Sequence, residues 1–163
     1  RAMGSVDRSK ADQITAAAVS LIARARAADP PDYVRERLDR LERLVQMTYD
    51  AEWSLSIPVK TRILAALTYL TDPNGIIPDD VPGLGYLDDA IMIELVSEQL
   101  RHELEAYLDY CEFRRNDDLN VFHRQGQISR DERLAKKREA LRARISAREK
   151  APPKRTPRRF NLW

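Results

Sequence analysis

The sequence is poor in the residues that mark several common classes of protein. Its only cysteine is Cys111, so an internal disulfide is excluded, and this is compatible with a reducing cytoplasm. The longest strictly apolar run is five residues, Ile63 to Leu67, whereas a membrane-spanning helix needs about 20. We therefore expect a cytoplasmic protein that does not cross a bilayer.

Short catalytic signatures are also lacking. The chain contains no Gly-x-Ser-x-Gly, no phosphate-binding loop, no zinc-like cysteine pair and no dinucleotide fingerprint. Cys111 ends an apolar stripe and is predicted to be a small buried hydrophobe rather than a nucleophile. These absences favour a protein that is not an enzyme.

Glycine is scarce, and its distribution is uneven. Three of the five glycines and three of the nine prolines fall within residues 69–90. They are Pro73, Gly75, Pro78, Pro82, Gly83 and Gly85. Proline fixes φ and glycine permits positive φ, so this stretch is predicted to be a defined non-helical bend.

The rest of the chain shows helical periodicity and no convincing strand alternation. Helices are predicted from Ser9, from about Asp32, over about 58–71, and for roughly 25 residues from a capping Asp88. The second has the apolar stripe Val34, Leu38, Leu41, Leu44, Val45, Met47 and Thr48, and the fourth has Ile93, Val96, Leu100, Leu104, Tyr107 and Cys111. The third is apolar nearly all round, which predicts the most buried helix.

These patterns predict an all-α fold, a small bundle of about four helices joined by the bend, with a charged C-terminal helix and tail. Residues 1–5 resemble a vector-derived scar, 6–115 the bundle, and 116–163 the basic helix and tail. Up to residue 113 the chain holds 12 Lys+Arg against 20 Asp+Glu, and the remainder holds 16 against 6. An acidic body thus precedes a basic tail.

The tail contains one helix signature. Ser129-Arg-Asp-Glu132 is a capping-box pattern that predicts a helix to about Lys150. Its apolar stripe of Leu134, Leu141 and Ile145 is too thin to fold alone, so the helix either frays or lies against another surface.

The bend carries a resemblance to a known family. Tyr69-Leu-Thr-Asp-Pro73, Ile77-Pro-Asp79 and Val81-Pro-Gly-Leu-Gly-Tyr-Leu-Asp-Asp89 resemble the signature of the YkvA-like domain of unknown function, over about residues 58–100. The resemblance implies a small helical domain from bacteria and no established activity. Where the family pattern has its first aspartate, this chain has Gly75.

Four aspartates of this region are candidate metal ligands. Asp79, Asp80, Asp88 and Asp89 could converge on Mg²⁺ or Ca²⁺, which prefer carboxylate oxygen, and support cation-dependent hydrolysis. In the alternative interpretation the aspartates have structural roles. Asp88 caps a helix, and Asp89 interacts favourably with the positive end of the dipole of that helix. Asp79 or Asp80 accepts hydrogen bonds from backbone amides of the turn. The local reading is favoured, so no cofactor is expected.

A second acidic set occupies one face of the fourth predicted helix. Glu94, Glu98, His102 and Glu105 have the 4, 4 and 3 spacing of one helical face. A metal site in a bundle needs matching ligands on other helices. A solvated face with Glu98–His102 and Glu98–Arg101 contacts is therefore predicted.

The tail is the stronger functional candidate. Its predicted partner-binding residues are Arg142, Arg144, Arg148, Lys154, Arg155, Arg158, Arg159, Phe160 and Trp163. Such a segment suits an acidic protein partner, or the acidic body of another copy of the chain; nucleic acid and an anionic membrane surface are alternatives. It could equally dock on the chain's own acidic body. The sequence thus favours a non-catalytic bacterial interaction or regulatory module.

Overall fold

The computed structural model describes residues 3–72, 86–120 and 126–152. Six helices occupy most of these residues, and no strand occurs among them: α1 (Met3–Ala27), α2 (Asp32–Tyr49), α3 (Ile57–Leu70), α4 (Leu87–Gln99), α5 (Arg101–Leu119) and α6 (Arg130–Lys150). The all-α prediction is confirmed. Helix α1 starts at Met3, ahead of the predicted Ser9, so residues 3–5 of the expected scar continue the helix.

Helix α2 lies at the centre of the bundle. It contacts α1, α3, α4 and α5. All seven residues of its predicted stripe are buried, from Val34 to Thr48. The regular spacing of these side chains places them on one broad face, and burying that face against four neighbours makes α2 the core element.

Helix α3 is less buried than its composition predicts. Only Ile63, Leu67 and Leu70 are buried, while Tyr69 is half exposed. The prediction that α3 is the most buried helix is therefore wrong. The number of apolar residues around a helix does not determine how many other helices pack against it. Among the described residues, α3 packs against α1, α2 and α4.

The predicted long fourth helix is two helices. It is interrupted at Leu100, whose φ of −105° and ψ of 16° are not helical, although its side chain is buried. The interruption lets α4 pack on α2 while α5 turns to pack on α6. No proline or glycine marks this point, so tertiary packing rather than local preference breaks the helix.

Candidate functional site

The predicted metal site lies only partly within the described residues. Asp79 and Asp80 are outside them, whereas Asp88 and Asp89 lie in the first turn of α4. The capping position belongs to Tyr86, at φ 66°, and not to Asp88 as predicted. Asp88 Oδ1 accepts a hydrogen bond from the Asp89 amide at 3.0 Å.

Within the described ranges, no group of three or more His, Cys, Asp or Glu side chains is arranged to hold a metal ion. The predicted acidic face on α4 and α5 is instead paired with arginines. Glu94 lies 2.9 Å from Arg37 Nε and 2.7 Å from Arg40 Nη1, and Glu98 pairs with Arg101. The predicted Glu98–Arg101 contact is confirmed, whereas the described residues show no hydrogen bond or ion pair between Glu98 and His102.

Helix α6 begins as the capping box predicts. Ser129 is the N-cap, and its hydroxyl accepts a hydrogen bond from the Glu132 amide at 3.3 Å. Its three stripe residues, Leu134, Leu141 and Ile145, are all buried. Since α6 packs along α5, the thin stripe is stabilised by the chain's own body.

Arginines reinforce this contact along the whole helix, and we call the set the arginine seam. Its members and their acceptors are Arg130 with Glu52 and Asp118, Arg133 with Asp117, Arg138 with the Glu52 carbonyl, Arg142 with the Trp53 and Ser54 carbonyls, Arg144 with Asp109, and Arg148 with Glu105. The three described residues predicted to bind a partner, Arg142, Arg144 and Arg148, are among them.

The seam is most buried at Asp117. Its side chain is 2% exposed, and Arg133 donates two hydrogen bonds to it, at 2.6 and 3.0 Å. Arg144 and Arg148 are more exposed, at 2.6 Å from Asp109 and 2.5 Å from Glu105. Removing one partner of a buried ion pair costs more than removing one partner of an exposed pair, because the remaining charge is then left away from water without a counterion.

The α2–α3 loop, residues 50–56, provides hydrogen-bond acceptors for several arginines of the seam. Asp50 follows α2, and Arg114 of α5 donates to both of its carboxylate oxygens, at 2.9 and 2.7 Å. The Tyr107 hydroxyl donates to Oδ2 at 3.0 Å, and the Trp53 amide donates to Oδ1 at 3.2 Å. The Asp50 side chain is 11% exposed, so it joins α2, the loop and α5 through one carboxylate.

These contacts set the ionisation of the group. Burial by itself would raise the pKa of Asp50, but the hydrogen bonds from Arg114, the Trp53 amide and Tyr107 outweigh it, so the pKa lies below the ordinary value. The hydrogen bond to Asp50 likewise raises the pKa of Arg114. Asp50 therefore stays ionised in the folded protein at neutral pH.

Trp53 is the largest side chain in this loop, and it is 1% exposed. Its ring lies 5.7 Å from that of Tyr107 and 5.1 Å from that of Tyr110, both tilted. The Arg142 guanidinium lies 5.8 Å from the Trp53 ring. Ser54 follows at φ 55°, which turns its carbonyl to a conformation that accepts from Arg142.

A cavity of about 160 Å³ adjoins Trp53, between the loop, α5 and α6. Glu103, Arg142 and Glu149 are among its lining residues. Burial and the nearby charge of Glu149 raise the pKa of Glu103, and Arg142 opposes the shift. The cavity therefore holds a carboxylate that is less stable when ionised, in contrast to Asp50.

Sequence reasoning missed this centre. Asp50 and Arg114 are 64 residues apart, and no local spacing relates them. A signal was present, since a tryptophan in a charged loop needs a buried environment. Nothing in the sequence identifies Arg114 rather than Arg115 as the partner.

The remaining predicted partner-binding residues, Lys154, Arg155, Arg158, Arg159, Phe160 and Trp163, lie outside the described residues.

Cys111 is half-buried rather than fully buried, and Arg114 Nη2 lies 3.8 Å from its sulfur. Among the described helices, none is long and apolar enough to span a membrane.

Comparison with known proteins finds a family match over the bend and parts of the helices that flank it. Residues 59–95 match the family described as "Protein of unknown function (DUF1232)". Over 51 residues, the chain is 43% identical to the "Uncharacterized membrane protein YkvA" of Bacillus subtilis (strain 168). That match covers 30% of this chain and 48% of the relative, so the chain spans about half of the relative's length. No solved structure matches.

Proposed function

We propose that this chain, which carries a YkvA-like domain of unknown function, is a non-catalytic interaction module that contacts an acidic partner through residues 153–163. The body, α1 to α5, holds α6 through the arginine seam. Helix α6 then serves as a support that fixes where the basic segment begins. The proposal refines the sequence-based hypothesis, in which the whole basic tail was the contact.

One observation carries the proposal: Arg142, Arg144 and Arg148 already have acceptors within the chain. Arg142 donates to the Trp53 carbonyl at 2.9 Å, and the other two pair with Asp109 and Glu105. Using them for a partner would first break these contacts. The other basic residues of the predicted set, Lys154, Arg155, Arg158 and Arg159, lie outside the described residues.

The same segment has residues suited to recognition. Phe160 and Trp163 follow the four basic side chains, and aromatic residues beside arginines are frequent anchors at protein interfaces. Because the Arg148–Glu105 pair holds the end of α6, the segment starts from a fixed point.

A second candidate is contact with an anionic membrane surface through the same segment. The Bacillus subtilis relative is named a membrane protein. Each Lys or Arg near an anionic bilayer contributes about 1 kcal/mol, so four basic residues with two aromatics suit such a surface. The two candidates share the segment and differ in the ligand.

Binding by the full chain tests both candidates. The ligands are poly-L-glutamate, a random glutamate–tyrosine copolymer, a single-stranded oligonucleotide, and vesicles with and without phosphatidylserine. The variant replaces Lys154, Arg155, Arg158 and Arg159 by glutamine. The control replaces four exposed basic residues elsewhere, Arg24, Lys60, Arg62 and Lys136, which gives the same change in net charge.

We expect the acidic polypeptides to bind, the segment variant to lose at least tenfold in affinity, and the control to lose less than threefold. The Phe160→Ala/Trp163→Ala variant should weaken binding to the glutamate–tyrosine copolymer more than to poly-L-glutamate. Binding that is confined to phosphatidylserine vesicles would replace the first candidate by the second. Equal losses in the segment variant and the control would overturn both.

A further inference from the structure

A groove of about 330 Å³ separates α2 from the junction of α4 and α5. Its volume is near the lower end of the roughly 300–1,000 Å³ typical of small-molecule sites. The residues that matter below are Arg43 on α2, Ser97 on α4, and Leu104 and Leu108 on α5. None of these residues belongs to the arginine seam.

Among the described residues, one arginine that lines the groove has no carboxylate partner. Each of its three glutamates pairs with an arginine: Glu94 with Arg40, Glu98 with Arg101, and Glu105 with Arg148. Arg43 is exposed and forms no ion pair with any residue in the described part of the chain. A guanidinium without a counterion is suited to bind a carboxylate.

Ser97 provides a second, independent observation. It is 5% exposed, and its hydroxyl has no hydrogen-bond partner among the described residues. Buried polar groups in native proteins are nearly always partnered, so such a hydroxyl indicates a missing acceptor. Ser97 is one of the residues that line the groove.

The rest of the lining is suited to an apolar group. Leu104 is half-buried at the edge of the core, and Leu108 is 41% exposed one turn further along α5. Covering such side chains stabilises a complex by about 25 cal/mol for each Å² removed from water. A ligand that fills the groove would therefore have a charged end and an apolar end.

We propose that this groove binds a small organic carboxylate with an apolar body. The carboxylate pairs with Arg43 and accepts a hydrogen bond from the Ser97 hydroxyl. The apolar body packs against Leu104 and Leu108. This site is separate from the segment that we propose for partner binding, so either assignment can fail alone.

Titration of the full chain with 4-phenylbutyrate, followed by amide chemical shifts in NMR, tests the site. The control ligand is 4-phenylbutyramide, which keeps the shape and lacks the charge. We expect saturable shifts at residues 43, 97, 104 and 108, with the amide at least tenfold weaker. The absence of saturation by 10 mM, equal affinity for the amide, or shifts confined to other residues would overturn the proposal.

Two variants locate the contacts. Arg43→Gln should weaken binding of 4-phenylbutyrate at least tenfold, while Arg62→Gln, an equally charged change on an exposed arginine of α3, should leave it unchanged. Ser97→Ala should weaken binding several-fold while raising Tm, because it removes an unpartnered buried hydroxyl. An unchanged affinity in either groove variant would contradict the contact assigned to that residue and, with it, the proposed site.

Discussion

The two sides of this molecule are held together in different ways. The α5–α6 side, with the α2–α3 loop, is joined by directed contacts between arginines and acidic or carbonyl oxygens, of which Arg114–Asp50 and Arg133–Asp117 are the most buried. The α3–α4 side contains apolar residues that stay in contact with water. Ile91 is 50% exposed and Leu95 is 55% exposed, and no residue of α3 has an ion pair within the described ranges.

This difference between the two sides coincides with the limits of the family match. Residues 59–95, which match the family, contain most of α3 and most of α4. The arginine seam lies wholly outside that match. The two helices within the match expose several apolar side chains, and Glu94 of α4 pairs with arginines of α2, whereas the contacts of α6 are mainly hydrogen bonds and ion pairs of arginine. Directed hydrogen bonds specify one geometry, whereas an exposed apolar face is open to further contacts.

Trp53→Ala should cause the largest loss in the free energy of unfolding, because it acts on the α5–α6 side. Replacing a fully buried tryptophan by alanine costs about 3–5 kcal/mol, and it removes the ring contacts to Tyr107 and Tyr110. Urea unfolding measures the loss. Tyr49→Ala removes a half-exposed aromatic of α2 and is the control; an equal loss there would contradict the special role of the loop.

Asp50→Asn should have the next largest effect. It removes the nearer of two carboxylates from the Arg114 guanidinium, which is 21% exposed and lies 3.7 Å from Glu52 Oε1, and hydrogen bonds to charged groups contribute about 1.5–3 kcal/mol. Asp109→Asn breaks the more exposed pair with Arg144 and should cost less than about 1 kcal/mol. Chemical denaturation at pH 7 compares the two variants.

The effect of Asp50→Asn should depend on pH. The folded pKa of Asp50 is lowered, so its contribution is present above the unfolded value of about 3.9 and is lost as pH falls through the folded pKa. The difference in the free energy of unfolding between wild type and variant should therefore decrease as the pH falls below about 4. A difference that stays constant down to pH 2 would show that charge is not involved.

Glu103→Gln should have a smaller effect of opposite sign. Burial and Glu149 raise the pKa of Glu103, so its ionisation destabilises the fold as pH rises above about 4.3, the ordinary value for Glu. The variant should be more stable at pH 7, by less than about 1 kcal/mol, and equal to wild type near pH 3. Glu112→Gln, at an exposed position of α5, should show no such gain in a thermal scan.

Leu95→Ser tests the other side and should have the smallest effect on stability. Surface substitutions away from special features usually lie within about 0.5 kcal/mol, and Leu95 is more than half exposed. It should lower the binding of an apolar dye, because α4 would present less apolar surface. Ile93→Ser, two residues away on the buried face of α4, should instead be strongly destabilising, and similar costs for the two would contradict the described face of α4.

Sequence periodicity was sufficient where one helix meets several neighbours through one face. The α2 stripe from Val34 to Thr48 was predicted in full, and so was the Ser129–Glu132 capping box, because both depend on local spacing. The resemblance to the YkvA-like family rested on the bend and was confirmed.

The rest depended on contacts that spacing does not encode. The break at Leu100 arises because α4 and α5 pack on different partners. The Asp50–Arg114 pair joins residues 64 positions apart. Arg142 is predicted from the sequence to bind a partner, whereas in the structure it donates to backbone carbonyls of the chain's own loop, and no pattern of residue types identifies a carbonyl.

The central claim is that α6 is docked on its own chain by the arginine seam. Hydrogen exchange of the α6 amides over residues 137–146, at several protein concentrations, tests it most directly. We predict protection comparable to that of α5 and independent of concentration, which Arg133→Gln lowers in α6 before α5. Exchange at unfolded rates in α6, or protection that appears only as the concentration rises, would contradict the claim.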